Sequence, residues 1–351
     1  MEYRSAQRRA HRRNPPAFLP VKAVPFFATV LLLAFFVLLL RGCAIARRGE
    51  TSIDDVQAPE EPVSAMIAVY DDEKDAVVHM PLETYLCGVV AAEMPASFEP
   101  EALKAQAVAA RTFTLRRLAA CGGTPCGRGG ADICTDSACC QSYRTAAQLK
   151  KSWGANADYY FAKVEDAVYG TAGEVATYGG ALIEALYHST AGGMTENAEN
   201  VFASAQPYLV SVSSPGEEGS AHYADSLTLS KKNFIKKINA AFPNAGLSEK
   251  KLETQVEITA RFPSGRVKTV RLGGAETTGR LFRKALDLPS ANFTIAFTGD
   301  SVRISTKGYG HGVGMSQYGA NAMAREGSDY RAILAHYYTG IEVENWGDRL
   351  A

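Results

Sequence analysis

Residues 81–113 read PLETYLCGVVAAEMPASFEPEALKAQAVAARTF, and this stretch decides the fold of the chain. Its beginning carries apolar residues at positions i, i+3, i+4, i+7 and i+8, the spacing of an amphipathic helix. These apolar residues are Leu82, Tyr85, Leu86, Val89 and Val90. Pro81 suits a first helical turn, and Pro95 disfavours helical geometry at Met94, so this helix is predicted to end at about Glu93.

Glu93 is therefore predicted to lie at the C-terminal end of a helix. A carboxylate in that place faces the negative end of the aligned backbone dipoles, which favours its protonated form. A general acid that works near neutral pH needs this bias. A solvated helix-end residue is the alternative, and the motif alone supports both interpretations equally.

The following residues, 99–113, are rich in alanine and predict a second helix with Pro100 at its first position. Lys104 and Arg111 fall on one stripe of this helix, on either side of Val108. Cations on a helix usually form a solvated basic edge. Here alanine and valine crowd that edge, which favours a partly enclosed site.

Two later blocks complete a pattern that is recognisable as a whole. Residues 186–197 read LYHSTAGGMTEN and residues 308–320 read GYGHGVGMSQYGA. Together with residues 81–112, and in the same order, they resemble the signature of the stage II sporulation protein D family. The resemblance covers nearly the whole chain after its first forty residues.

This resemblance implies a membrane-anchored lytic transglycosylase that cuts peptidoglycan glycan strands while the mother cell engulfs the forespore. It maps the catalytic acid/base onto Glu93, and further residues needed for activity onto Lys104 and Arg111 and onto His188, Ser189 and Thr190. It implies stage II sporulation proteins P and M as partners. Because some relatives act as amidase enhancers, a non-catalytic glycan-binding enhancer of a cell-wall amidase is the alternative.

The chemistry of such an enzyme needs one carboxyl group. A glycosidase that delivers water uses two carboxylates about 5–10 Å apart. A lytic transglycosylase instead uses the C6 hydroxyl of N-acetylmuramic acid, a nucleophile that the substrate itself supplies. Beside Glu93, Glu196 is the main candidate for a second carboxylate.

The two later blocks also supply candidate sugar contacts. Residues 174–187 predict a hairpin that turns at Gly179-Gly180 and delivers Tyr187, His188 and Ser189 into a glycine-rich loop. A structural role for His188 is the alternative. The glycines of residues 308–319 lack the context of a nucleotide-binding motif and predict a loop that lines a glycan groove. Its candidate contacts are His311, Ser316, Gln317 and Tyr318.

The first fifty residues predict the location. Residues 24–40 are uncharged and almost wholly apolar, near the minimum length for crossing a bilayer. A basic tail, residues 1–23, precedes them, so the positive-inside rule puts the N-terminus in the cytoplasm and the rest outside the cell membrane. An uncleaved anchor is favoured over a signal peptide or a lipoprotein, because no suitable cleavage site follows. Residues 41–62 read as a tether.

Charge excludes one class of partner. The first fifty residues hold nine of the 37 Lys and Arg and two of the 37 Asp and Glu. The remainder, with 28 basic and 35 acidic residues, carries a net charge of −7. This acidic balance, without a basic stripe, argues against nucleic-acid binding.

Five of the seven cysteines lie in a glycine-rich insert, residues 121–140. Outside the membrane disulfides are the default, but the close spacing makes a metal site a serious competitor. Some members of the resembled family carry zinc in this block. The resemblance favours a structural zinc ion held by Cys134, Cys139 and Cys140, with Cys126 or Cys121 as the fourth ligand.

The remaining pattern predicts an α+β class, with the catalytic helices packed against sheet. Residues 63–351 suffice for one large domain or two closely packed lobes. Predicted strands cover residues 66–70, 77–80, 256–260, 267–272, 293–297 and 302–306. Predicted helices cover residues 233–242, 278–286, 320–325 and 330–338.

Overall fold

The computed structural model describes residues 65–202 and 204–347. Within them no helix is both long enough and apolar enough to cross a bilayer. The predicted membrane segment at residues 24–40, the basic tail before it and the tether after it lie outside the described residues.

The described chain mixes helices and strands, as the predicted α+β class requires. The helices are α1 (Leu82–Glu93), α2 (Pro100–Leu115), α3 (Ala146–Trp153), α4 (Ala157–Tyr169), α5 (Lys231–Ala241), α6 (Leu252–Gln255), α7 (Gly279–Leu286), α8 (Gln317–Arg325) and α9 (Tyr330–Tyr337). The strands are β1 (Met66–Asp71), β2 (Ala76–Pro81), β3 (Ile133–Cys134), β4 (Glu174–Tyr178), β5 (Ala181–Leu182), β6 (Tyr187–His188), β7 (Gly193–Met194), β8 (Ser213–Ser214), β9 (Ala224–Ser230), β10 (Val256–Arg261), β11 (Val267–Leu272), β12 (Ala275–Thr278), β13 (Phe293–Thr298), β14 (Ser301–Lys307), β15 (Met315–Ser316) and β16 (Glu342–Asn345).

Helix α2 is the centre of the first hydrophobic core. Its alanines are fully buried, and it packs against α1, α4, α8, α9 and β4. Small side chains allow these neighbours to approach its backbone closely from several directions. The predicted ends of both helices are confirmed: α1 stops at Glu93, and α2 carries Pro100 at its first turn.

A buried ion pair joins α1 to α2. The guanidinium of Arg111 is fully buried and donates two hydrogen bonds to the carboxylate of Glu83, at 2.9 and 2.6 Å. Nη2 also donates to the Val168 carbonyl (3.0 Å), and Nη1 donates to the Glu174 carbonyl (3.1 Å). Arg111 is therefore not part of a solvated basic edge. Its hydrogen bonds connect α1 and α2 to the end of α4 and the start of β4.

A second hydrophobic core lies in the chain between the two later sequence blocks. Residues 224–307 fold into two three-stranded sheets, ordered β10-β11-β12 and β13-β14-β9, with α5 and α7 against them. Their core includes Phe234, Phe282 and Phe293 and is separate from the core around α2. Both cores belong to one compact unit. We call the part built around α2 the first lobe and residues 224–307 the second lobe.

The predicted hairpin after residue 174 is only partly correct. Strand β4 turns at Gly179-Gly180 as expected, but β5 is two residues long and β4 pairs on its other side with β16. Strand β6 leaves this sheet and pairs in parallel with β15, which joins the second sequence block to the third. Helices α3 and α4 were not predicted, because their polar faces mask a weak apolar stripe.

The ion pair leads to a first prediction. Replacing Arg111 by alanine is expected to lower the free energy of unfolding by about 3–5 kcal/mol, because the Glu83 carboxylate loses its buried cation. Urea unfolding followed by circular dichroism measures the change.

Lys104→Ala, on the same helix, is the matched control. The Lys104 ammonium pairs with Glu101 at 2.7 Å on a partly exposed surface, so its loss should change stability by less than about 1 kcal/mol. Equal and small effects in the two variants would contradict the structural role of Arg111.

Candidate active site

A cleft of about 670 Å³ opens at the C-terminal end of α1. One wall is the end of α1 and the segment that follows it, and a second is the loop at residues 137–144. The second and third sequence blocks supply the remaining walls. The side chains on these walls that carry chemistry are Glu93, Ser142, Arg144, Tyr187, His188, Ser189, His222, Tyr309, His311, Gln317 and Tyr318.

Glu93 lies in this cleft and is held by its neighbours. The backbone N–H of Ser142 donates to Glu93 Oε1 at 2.6 Å. Burial raises the pKa of Glu93, while hydrogen bonds from Ser142 and the Gln317 side chain lower it without cancelling the rise. Removal of water is thus what favours the protonated form of Glu93.

Close packing puts Ser142 beside Glu93. A Cβ atom on Gly88 of α1 would lie 2.3 Å from the ring of Tyr143, so only glycine allows this segment to lie on the helix. The Tyr143 ring stacks on Tyr85 with centroids 5.5 Å apart. Any larger residue at position 88 would push Ser142 away from the carboxyl group.

Gln141 links the same segment to α2 and to the second sequence block. Its Nε2 donates to Thr114 at 3.0 Å, and its Oε1 accepts a hydrogen bond from the Tyr187 hydroxyl at 2.7 Å. Burial keeps the pKa of Tyr187 well above its usual range, so this phenol stays neutral. One amide side chain therefore sets the position of Tyr187 relative to Glu93.

Burial suppresses protonation of two cleft histidines, His188 and His311. Strand β6 ends at His188, which allows both His188 and Ser189 to line the cleft despite the alternation of a strand. His188 Nδ1 contacts the Val313 carbonyl at 3.1 Å, and its buried Nε2 has no hydrogen-bond partner. Burial lowers the pKa of His188 well below its usual value and that of His311 to about 4. At neutral pH neither ring is a proton donor of the imidazolium type.

Two candidate contacts lie outside the cleft. Ser316 is fully buried; it caps α8, and its hydroxyl donates to the carboxylate of Glu217. Thr190 is also buried and shares a hydrogen bond with Ser220 at 2.9 Å. These two hydroxyls hold the loops together, and the assignment of Ser316 and Thr190 as sugar contacts is corrected accordingly.

Lys104 and Arg111 also lie away from the cleft walls. Arg111 has no exposed surface and is occupied by the ion pair with Glu83. Lys104 pairs with Glu101 and lies 5.8 Å from the centre of the Tyr330 ring. The structure therefore replaces a substrate-binding role for Arg111 with a structural one, since its guanidinium cannot reach a ligand.

Among the described residues, Glu93 is the only carboxylate that lines the cleft. Glu196, the predicted rival, is buried elsewhere. Its carboxylate accepts hydrogen bonds from the Asn197 N–H (2.9 Å), from Asn200 Nδ2 (2.8 Å) and from the Ser264 hydroxyl. Its oxygens are thus engaged with the protein and not with the cleft.

Sequence reasoning missed part of the cleft. His222 and Tyr309 are both exposed, and their ring centroids lie 4.5 Å apart with the ring planes tilted by 41°. Trp153, at the end of α3, also lines the cleft. The position of Tyr309 between two glycines was a usable signal, whereas His222 and Trp153 stand in segments without any motif.

Four cysteines converge in the insert. The Sγ atoms of Cys126, Cys134, Cys139 and Cys140 all lie within 4.8 Å of one another. The Sγ atoms of Cys139 and Cys140 are 3.8 Å apart, the separation expected for two thiolates on one tetrahedral ion and far beyond the about 2.05 Å of a disulfide. The fourth member is Cys126 and not Cys121. Cys140 also lines the cleft, so the cluster adjoins the acid.

Comparison with known proteins extends over most of the chain. The family model of stage II sporulation protein (SpoIID) matches residues 70–178. Stage II sporulation protein D of Bacillus amyloliquefaciens is 42% identical over 294 residues, which cover 84% of this chain and 82% of that protein. Stage II sporulation protein D of Bacillus subtilis (strain 168) is 41% identical over 282 residues, 80% of this chain and 79% of that protein. The amidase enhancer of Bacillus subtilis (strain 168) is 30% identical over 310 residues, 74% of this chain and 40% of that protein.

Proposed function

The chain belongs to the stage II sporulation protein D family, and on that premise we propose that it is a lytic transglycosylase acting on peptidoglycan glycan strands. Its products would carry 1,6-anhydro-N-acetylmuramic acid ends, and its work would be wall removal during forespore engulfment. The observation that carries this proposal is the carboxyl group of Glu93, which has a raised pKa and is the one carboxyl group of the described residues that lines the cleft.

The reaction uses that group twice. Protonated Glu93 donates its proton to the glycosidic oxygen as the bond from that oxygen to C1 of muramic acid breaks. The resulting carboxylate then removes the proton of the C6 hydroxyl, and the C6 oxygen bonds to C1. No water enters, so no second carboxylate is required. Because the nucleophile is tethered to the reacting sugar, orientation of that sugar supplies much of the rate.

The other cleft residues suit binding and orientation. The Ser142 N–H, aimed at Glu93 Oε1, supports the carboxylate that forms after the first proton transfer. The unpartnered Nε2 of His188 and the Ser189 hydroxyl can meet sugar hydroxyl or acetamido groups. The adjacent, exposed rings of His222 and Tyr309 offer aromatic surface to the apolar face of a sugar ring.

The proposed setting is the space between mother cell and forespore. Residues 24–40 would anchor the chain in the cell membrane, with the N-terminus in the cytoplasm and the cleft outside. Stage II sporulation proteins P and M are the partners we expect there, since the family works beside them.

A non-catalytic role is the second candidate, and the similarity to an amidase enhancer favours it. In that role the cleft would bind glycan and recruit or stimulate an amidase, and Glu93 would be dispensable. The two candidates therefore differ in what Glu93 does.

We also propose that the four-cysteine cluster holds a structural zinc ion. Four thiolates with the spacing of a tetrahedral site are a preferred zinc ligand set. When bound, zinc would supply folding energy to an insert that has little hydrophobic core of its own. Cys140 is followed directly by Gln141 and Ser142, so the ion would also steady the residues that hold Tyr187 and Glu93.

The role of Glu93 is tested by Glu93→Gln. We expect digests of peptide-free glycan strands by the wild-type protein to contain anhydro-ended fragments, and the variant to form them at least about 100-fold more slowly. Mass spectrometry distinguishes anhydro ends from ordinary reducing ends by one water.

The folded state of this variant is its own control. Burial raises the pKa of Glu93 in the folded protein above its value in the unfolded chain, so folding takes up a proton between these two pKa values. The free energy of unfolding therefore falls as pH rises from the unfolded-state pKa toward the folded-state pKa. Neutral glutamine removes that penalty, and Tm at pH 7 should be unchanged or higher. Glu326→Gln, on an exposed residue outside the cleft, should keep full activity. Reducing ends in the products would indicate a hydrolase, and a wild-type protein without products would favour the enhancer.

The pH dependence provides a further test. The free enzyme needs Glu93 protonated, so kcat/KM should fall as pH rises above the raised pKa of this group. Because no second carboxylate of residues 65–202 and 204–347 lines the cleft, the profile should have one descending limb at higher pH and no acidic limb from an ionised partner. A bell-shaped profile with two carboxyl-range pKa values would argue against the single-carboxylate mechanism.

The zinc proposal is tested by metal content. Purified full-length protein should contain about one zinc per chain by elemental analysis, and cobalt replacement should give the absorption bands of tetrahedral thiolate coordination. Cys134→Ser should lose most of the metal, whereas Cys121→Ser should keep it. Equal metal in both variants, or none in the wild type, would overturn this ligand set.

A further inference from the structure

A second pocket, of about 490 Å³, adjoins the cleft. The two share His311 as a lining residue, and the Phe202 ring on the pocket side lies 5.6 Å from His311. One side is formed by residues 196–202 of the first lobe and the other by β11 and α7 of the second lobe. We call it the basic pocket. Its charged side chains are Arg266, Lys268, Arg280, Arg283, Glu196 and Glu199.

The positive charge of the basic pocket is not neutralised by ion pairs. Within residues 65–202 and 204–347, none of the four cations has a carboxylate within 4.0 Å. Of the two acids, Glu196 already accepts three hydrogen bonds from protein groups and Glu199 is exposed. Four cations against two carboxylates leave the lining with a charge of +2.

Arg266 is the buried member of this set. Only 2% of its surface is exposed. Its Nη1 and Nη2 donate to the carbonyls of Met194 (2.7 Å) and Ala191 (2.9 Å), but its buried Nε has no partner. A buried N–H of a charged group without an acceptor is costly unless a ligand satisfies it.

The third sequence block packs directly on this guanidinium. A Cβ on Gly312 would lie 2.2 Å from Arg266 Nη2, and Gly312 has a φ of +84°. Both the close approach and the positive φ therefore require glycine at this position. Gly312 follows His311, which faces both cavities. The third sequence block thus connects the basic pocket to the cleft that holds Glu93.

Arg283 and Arg280 present the charge that a ligand would meet. Arg283 is half-buried and is positioned by its Nε, which donates to the Leu288 carbonyl at 2.9 Å. Its terminal nitrogens find no acceptor among the described residues. Arg280, at the start of α7, is exposed and has no side-chain partner in the same part of the chain. Two such guanidiniums beside a buried third suit bidentate recognition of a carboxylate.

We propose that the basic pocket is a subsite for a carboxylate of the glycan strand, bound while the muramic acid ring lies in the adjoining cleft. This inference rests on the proposed function for the identity of the ligand. Carboxylates are the anionic groups of such a strand, and they have two sources. One is the lactyl group on C3 of muramic acid, which is free when the sugar bears no peptide. The other is the stem peptide, whose carboxylates lie further from the ring.

Binding measurements test the subsite without requiring cleavage. Full-length protein carrying Glu93→Gln is titrated with peptide-free strands, with peptide-bearing strands and with N-acetylglucosamine oligomers, which have no carboxylate. Adding Arg280→Gln and Arg283→Gln together should weaken binding of a carboxylate-bearing strand about tenfold. Binding of the oligomers should change less than about twofold, and the difference should shrink at high salt.

The strand that loses affinity identifies the source of the carboxylate. A loss confined to peptide-free strands identifies the lactyl group, and a loss confined to peptide-bearing strands identifies the stem peptide. Arg303→Gln, which removes an exposed cation of the second lobe outside this pocket, is the matched control and should have no effect.

Two results would overturn the subsite. Equal weakening for all three ligands would mean that the arginines only support the fold, which a lowered Tm would also reveal. Unchanged binding of both strand types would mean that the basic pocket takes no carboxylate. Failure of the proposed function would give a different result. If the wild-type protein forms no anhydro ends but the charge-dependent binding persists, the subsite stands and the transglycosylase activity is ruled out.

Discussion

The buried ion pair between Glu83 and Arg111 is the contact on which the first lobe, built around α2, depends. A guanidinium without exposure must have its donors satisfied, and here they reach a carboxylate on α1, a carbonyl at the end of α4 and one at the start of β4. The direction of α1 is thereby tied to the central helix α2. Because Glu93 ends α1, the same constraint determines where the candidate acid meets the cleft.

The cleft itself is made by residues that are far apart in the chain. Gly88 lets the segment of Ser142 lie on α1, and parallel pairing of β6 with β15 brings the second sequence block to the third. Buried polar groups then hold these loops, with Glu217 accepting from the N–H groups of Ala191, Gly192 and Gly193. Burial between these loops raises the pKa of the Glu93 carboxyl group.

The second lobe contributes more than a separate core. Arg266 crosses from it to the carbonyls of the second block and lies against Gly312 of the third. A lobe that only spaced the two blocks would not need a buried arginine at this junction. In the proposed subsite, its location would connect a bound carboxylate to the loops around Glu93.

Local pattern alone was enough to predict the end of α1 at Glu93 and the start of α2 at Pro100, since proline geometry and helical spacing act within a few residues. For the candidate acid and the cysteine cluster, local pattern left alternatives open, which the family resemblance then narrowed. It did not show that Arg111 is buried, because its partner Glu83 lies 28 residues away and periodicity cannot tell a paired cation from a solvated one. Nor did it separate Ser316 and Thr190, which hold loops, from His188 and Ser189, which face the cavity. The strand pairing and the second lobe decide which way those side chains point. The sequence therefore identified candidate residues from short-range patterns, whereas the long-range contacts of the fold decide which of them face the cleft and which support the structure.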